Sequence, residues 1–368
     1  MTHGPRMPTR PTVANNDYAQ TVAASIIKQL EDGTAPWVKP WEPSDQRFIP
    51  YNATTGKDYQ GGNALWLMVT AESKGYADAR WMTYKQAQAI DAQVMKGERG
   101  TLIQYIKKFD RVPIENEQGQ PVRDGEGKPL YRTMELDRPR VFSAVVFNAE
   151  QISGLPRIEA RPTMPAWERH QAAERIMDHS GVPIAYRSGN RAFYSLTNDA
   201  ITMPERVQFK TPDQFYSTAL HELGHATGHP TRLNRPDLGT PFGSASYARE
   251  ELRAEIASLM MADRMGIGHD PGQHAAYVGG WIKALKEDPR EIFRAASDAE
   301  KIKIYLTDLQ QDRKATQPIV AVESRAAAPE QSYWQRQVES GRQIQAREAA
   351  ARPQAEHLAI DRAAISTR

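Results

Sequence analysis

"STALHELGHATGHP", residues 217–230, sets His221 and His225 four positions apart, with Glu222 directly after the first. Whether this stretch is a helix decides the reading, because only a helix puts both imidazoles on one face, about 5–6 Å apart at Cβ. The flanks say that it is. Thr211 suits an N-cap, Pro212 the first helical position and Gln214 the third position of a capping box, while Gly228 and Pro230 supply a stop. On that helix two imidazoles can reach one tetrahedral ion, and Glu222 points beside it, where a general base belongs. The competing reading is a helix with surface histidines. Against it, Leu220, Leu223, Gly224 and Ala226 make the surroundings small and apolar, as in a closely packed helix.

A catalytic zinc site takes three protein ligands and keeps one position open. A third histidine at the eleventh motif position is ruled out, because Thr231 stands there. The chain has no cysteine, which also excludes thiolate sites and disulfides. "YAREELRAEIASLM" offers Glu250, Glu251 and Glu255. Glu251 and Glu255 share a helix face, and Ala254 and Ala257 keep it slim. Glu251 is expected as the third ligand to Zn2+ (or another divalent transition metal), and Glu255 as acceptor for a histidine N–H. His229 is a reserve ligand. "AFYSLTNDAITM" offers an edge strand for an extended substrate, with Tyr194 and Asp199 read as polar site residues or, by preference, as strand surface.

Outward from the motif, the 368 residues suit two domains and a tail, and 40% hydrophobic with 25% charged residues is ordinary for a globular chain. The Pro-rich stretch 156–164 reads as a linker between a first domain over 15–155 and a second over 165–312. Residues 1–14 read as a mobile leader, and 313–368 as a low-complexity tail, disordered or an isolated helix. The fold expected is α+β: an α+β first domain, then a mainly helical second domain with a small sheet. In the first domain, periodicity predicts helices over 15–30, across "YQGGNALWLMVTAESKG" and from Thr83 to Val94. Strands follow in "GTLIQYIKKFD" and "RPRVFSAVVFNAEQI", with 112–138 as a hairpin tip or loop. No apolar run reaches membrane-spanning length, so a cytoplasmic protein without membrane contact is expected.

A net charge of +2 gives no global attraction for nucleic acid, so any such binding needs a local patch. "KGERGTLIQYIKKFDR" carries Lys96, Arg99, Lys107, Lys108 and Arg111 against two acids. Trp37 and Trp41 flank Lys39 in the Pro-stiffened "APWVKPW" and read as exposed. With Trp81 these rings and cations suit a single strand, whose phosphates bind cations and whose bases stack on aromatics.

Blocks in fixed order carry a further signal. They are "APWVKPW", "YQGGNALWL", "RWMTYKQAQAIDAQVMKGERG", "VVFNAEQISGLP", "YSTALHELGHATGHPTRLNR", "YAREELRAEIAS" and "YVGGWIKAL". Together they resemble the ArdC-type antirestriction proteins of conjugative plasmids, related in their N-terminal half to TraC-type plasmid primases. The resemblance implies a single-stranded-DNA-binding domain joined to a zincin-like metallopeptidase domain. It also implies protection of incoming plasmid DNA from host restriction, with a restriction enzyme or another protein as the possible substrate.

Overall fold

A computed structural model describes residues 15–38, 47–116, 118–158, 165–269 and 275–315. The leader, Lys39, Trp41, most of the expected linker and the tail beyond Ala315 lie outside the described residues. The chain is mixed α and β, as expected. Helices α1 (Asn15–Glu31) and α2 (Gly61–Lys74) lead into a four-stranded sheet. Its strands are β1 (Tyr51–Asn52), β2 (Arg80–Thr83), β4 (Thr101–Pro113) and β5 (Tyr131–Asn148), in the order β1-β2-β5-β4. A short helix α3 (Tyr84–Gln88) precedes β3 (Gln93–Val94), which pairs with β6 (Ile152–Ser153). Beyond lie α4 (Ala166–His179) and a three-stranded sheet of β7 (Ile184–Arg187), β9 (Ala200–Pro204) and β8 (Phe193–Ser195), in that order. Helices α5 (Pro212–Ala226), α6 (Ala245–Met265), α7 (Val278–Glu287) and α8 (Glu291–Ala315) complete the described chain. No helix among the described residues is long and apolar enough to cross a membrane.

Two elements differ from the sequence reading. The helix expected from Thr83 to Val94 stops at Gln88, although the Thr83–Gln86 capping box forms. Asp91 then takes a left-handed φ of 58°, a turn conformation, and the chain enters β3. The hairpin tip expected over 112–138 is present but narrower: β4 runs on to Pro113 and β5 resumes at Tyr131, leaving the residues between them as the tip. β4 and β5 pair antiparallel out to Pro113↔Tyr131, with one register shift between Lys107 and Phe109. Both faces of this arm are largely exposed, so the apolar–polar alternation that marks a half-buried strand is missing there.

One buried cluster spans the two halves of the sequence. Val22, Ile26 and Leu30 of α1 and Leu65 and Met68 of α2 join Phe215 and Leu220 of α5, Leu252 and Ile256 of α6, Trp281 of α7 and Ile302 of α8. The apolar residues of α8 recur as Ile292, Ala295, Ala299, Ile302 and Leu306, one helical stripe turned to that core. The core also takes in Trp37, which is 0% exposed, and His269 Nε2 lies 3.2 Å from its carbonyl oxygen. Trp81 is likewise fully buried, against Leu67, Ile103 and Val146. The expectation that Trp37 and Trp81 are rings open to a nucleic acid is therefore corrected: both are core residues. The described part of the Pro-stiffened segment, 35–38, places the Trp37 ring inside because a large ring gains more from burial than from solvent.

Candidate metal centre

Helix α5 is fixed at its start by Thr211, whose Oγ1 accepts the Gln214 N–H at 3.2 Å, with Pro212 following. The reciprocal half of the expected capping box goes elsewhere: Gln214 Oε1 accepts from the N–H of Lys210. From Phe215 to Ala226 nearly every side chain is buried. Helix α6 starts at Ser244, whose Oγ accepts the Tyr247 N–H, and stops at Gly266, which takes a φ of 66°. The two helices touch where both are small. A Cβ on Gly224 would sit 3.4 Å from Ala254 Cα, so any longer side chain would push α5 off α6.

That contact brings His221, His225 and Glu251 together, all three buried, with one ligand atom from each within 4.8 Å of the others. The two Nε2 atoms face one another at 3.1 Å. Glu251 Oε2 is 3.4 Å from His221 Nε2 and its Oε1 is 3.5 Å from His225 Nε2. Each Nδ1 has its own carboxylate: His221 on Glu255 Oε2 at 3.1 Å, His225 on Glu250 Oε1 at 3.2 Å. A neutral imidazole that donates its Nδ1–H to a carboxylate keeps a lone pair on Nε2. Two such lone pairs converging on a carboxylate are a donor set suited to a divalent cation. In the metal-free chain burial pushes both imidazoles down, but the carboxylates outweigh it. His221 stands well above its ordinary value and His225 is raised to about 9. Burial pushes Glu251 up, yet the two imidazoles hold it far below the usual carboxylate range.

Glu222 lines the same cavity of about 310 Å³, and among the described residues no hydrogen bond or ion pair holds its carboxylate. Tyr247 and Tyr277 also line it, with hydroxyls 3.2 Å apart. Tyr194 of β8 is part of the wall rather than strand surface. Its hydroxyl donates to Asp199 Oδ1 at 2.7 Å, and Arg232 bonds both groups. Sequence reasoning did not assign Glu250, Arg235 or His269. Arg235 holds Glu250 through Nε to Oε2 at 2.9 Å and Nη2 to Oε1 at 2.5 Å. His269 Nε2 lies 3.0 Å from Glu255 Oε1. Glu250 sits beside Glu251 in sequence and was visible as an acid; nothing local marks Arg235 or His269 as its company. His229, the reserve ligand, instead bonds Thr231 at a turn and is not in the cluster. Of the cations expected on nucleic acid, Lys96 and Arg99 are exposed and Lys107 pairs with Asp110 at 2.5 Å on the β4–β5 arm. The Lys108 side chain, like Lys39 and Trp41, lies outside what is described.

Comparison with known proteins places this geometry. Residues 171–298 match the family model of a zincin-like metallopeptidase, and residues 16–142 match the N-terminal domain of anti-restriction factor ArdC. The crystal structure of the antirestriction ArdC protein from plasmid R388, in metal-free form, is 35% identical with a TM-score of 0.61, covering 80% of this chain and 98% of that one. Its Mn(II)-bound form is 34% identical with a TM-score of 0.60 over the same shares. The uncharacterized protein y4eC of Sinorhizobium fredii (strain NBRC 101917 / NGR234) is 36% identical over 309 residues, 95% of its length. A DNA primase TraC of Escherichia coli is 54% identical over 295 residues, and a second is 55% identical over 296. The chain spans only 20% and 27% of those two relatives. The second half thus falls in the class of zincin-like metallopeptidases. The chain as a whole belongs to the ArdC antirestriction family.

Proposed function

We propose that this protein is an antirestriction factor that binds single-stranded DNA through residues 15–155 and carries a zinc peptidase-like centre in residues 165–312, acting in the cytoplasm on plasmid DNA entering by conjugation. The observation that carries the metal part is the pair of facing Nε2 atoms at 3.1 Å with Glu251 against both. His221, His225 and Glu251 would hold the ion; a Mn(II)-bound relative supports a divalent metal, and zinc is the member this donor set suits. When bound, the ion supplies Lewis acidity that polarises a carbonyl and lowers the pKa of water. Glu255 and Glu250 fix the two imidazoles with Nε2 turned to the ligand position. Glu222 takes the proton of the attacking water and returns it to the leaving amine. The cavity wall at β8 offers an extended peptide an edge strand. A restriction enzyme or another protein is the substrate class that fits.

A second reading keeps the ion as a structural staple in a single-stranded-DNA-binding module of a primase-like protein. The two TraC relatives, of which this chain matches about a fifth to a quarter, favour it. Glu222→Gln separates the two, measured as plasmid establishment in a restricting recipient. The peptidase reading predicts a variant that keeps its metal and loses protection; full protection by that variant contradicts it.

A further inference from the structure

The β4–β5 arm has a feature that the metal centre does not use. Near its base Ile103 and Val146 pack on Leu67 and Trp81, so the sheet face is anchored there. One step outward on the same face, Tyr105 and Phe142 stand directly opposite one another. Their rings lie nearly parallel, with an interplanar angle of 13° and centroids 5.4 Å apart, yet they are 50% and 37% exposed. The next rung on that face is Lys107 opposite Arg140. Like charges directly opposed on neighbouring strands cost stability. The two share one carboxylate, Asp110, which pairs with Lys107 and lies in the field of Arg140. Farther out, Arg111 lies over the Tyr131 ring at 4.9 Å and makes no ion pair among the described residues. Strands β4 and β5 hold six Lys and Arg against three acids: Asp110, Glu135 and Asp137. An exposed ring stack followed by an under-neutralised cation pair is the composition of a stacking platform beside a phosphate site.

We propose that the arm from Tyr105 to Pro113 and its β5 partner is where a single DNA strand lies, with bases on the Tyr105–Phe142 rings and phosphates on Lys107, Arg140 and Arg111. This rests on the single-stranded-DNA reading above and gives it a place other than the buried tryptophans. The stretch runs about 26 Å at 3.3 Å per residue, room for several nucleotides. A duplex keeps its base faces stacked inside, so the rings select for single strands.

The test uses the full chain and a fluorescein-labelled 20-nucleotide oligo-dT, followed by anisotropy at several salt concentrations. Tyr105→Ala/Phe142→Ala should weaken binding by about tenfold or more, whereas Tyr105→Phe, which keeps the ring, should stay within about twofold of wild type. Arg140→Gln should lower the log–log salt slope by about 0.7, one phosphate contact on a single strand. Undiminished binding by the double alanine variant overturns the placement and leaves the single-stranded-DNA reading standing. A wild-type chain that does not bind the oligonucleotide overturns both. Equal affinity for an annealed duplex overturns the stacking platform. Loss of self-association in the double variant, with no DNA effect, would make the arm a contact between copies instead.

Discussion

Replacing Arg235 by methionine strips Glu250 of its main partner while keeping most of the buried volume. Arg235 sits 8% exposed and Glu250 3% exposed, joined by two charge-assisted hydrogen bonds at 2.9 and 2.5 Å. Arg235 also donates to Thr227 Oγ1 and the Gly224 carbonyl, each at 2.7 Å, so it ties the end of α5 to α6. Burial pushes the Glu250 carboxyl up; Arg235 and His225 together bring it below its ordinary value. Without Arg235 the burial cost stands against His225 alone. Breaking a buried pair by removing one partner costs about 3–5 kcal/mol. For a chain of this size, at about 2 °C per kcal/mol, that is a fall in Tm of roughly 6–10 °C. The damage should reach the metal site too, because Glu250 fixes the His225 ring. Loss of such an orienting partner lowers metal affinity by about 10–100-fold. Denaturant unfolding of the metal-free protein gives the first quantity, and competition with a chelating dye gives the second. The double variant Arg235→Met/Glu250→Gln leaves no unpaired buried charge and should be more stable than Arg235→Met alone. A single variant that loses less than about 1 kcal/mol and binds metal like wild type would refute the claim that Arg235 braces the site.

Two further outcomes follow from proton linkage. In the metal-free chain both imidazoles are raised, His225 to about 9, so a metal must displace protons from them. Metal affinity should therefore rise with pH up to that value, with about one to two protons released per ion, read by calorimetry in buffers of different ionisation enthalpy. At the start of α5, burial pushes Asp213 up, but His170 at 2.6 Å and the Gly268 N–H at 2.8 Å hold it below the usual range. A lowered folded-state pKa gives stability that is complete above about pH 4 and lost as pH falls through the folded value. Asp213→Asn should thus flatten the acid limb of the stability profile measured by urea unfolding between pH 6 and 3.

The legible parts of the sequence were those written locally. Thr211, Pro212 and the His221–His225 spacing announce a helix with two imidazoles on one face, and the α6 sequence sets Glu251 and Glu255 four apart with Ala254 and Ala257 beside them. Both helices are present, and their small residues meet at Gly224 and Ala254. What was not legible depends on distant partners. Trp37 looks exposed between prolines, and its burial shows only once the chain folds it into a core shared with both halves, with His269, more than 200 residues later, on its carbonyl. Both strands of the β4–β5 arm were legible, but not how far they run, because the outer part of the arm is exposed on both faces and shows no period-two pattern. Arg235 carries no signal in a turn-rich stretch until the fold closes it over Glu250.

His221, His225 and Glu251 are proposed to hold one divalent ion together. This is tested most directly by equilibrium dialysis with elemental analysis of wild type and Glu251→Ala. Wild type should hold one zinc per chain, and the variant should bind it more than about 100-fold more weakly, since a lost ligand should exceed the loss of an orienting partner. Equal metal content in the two proteins would contradict it.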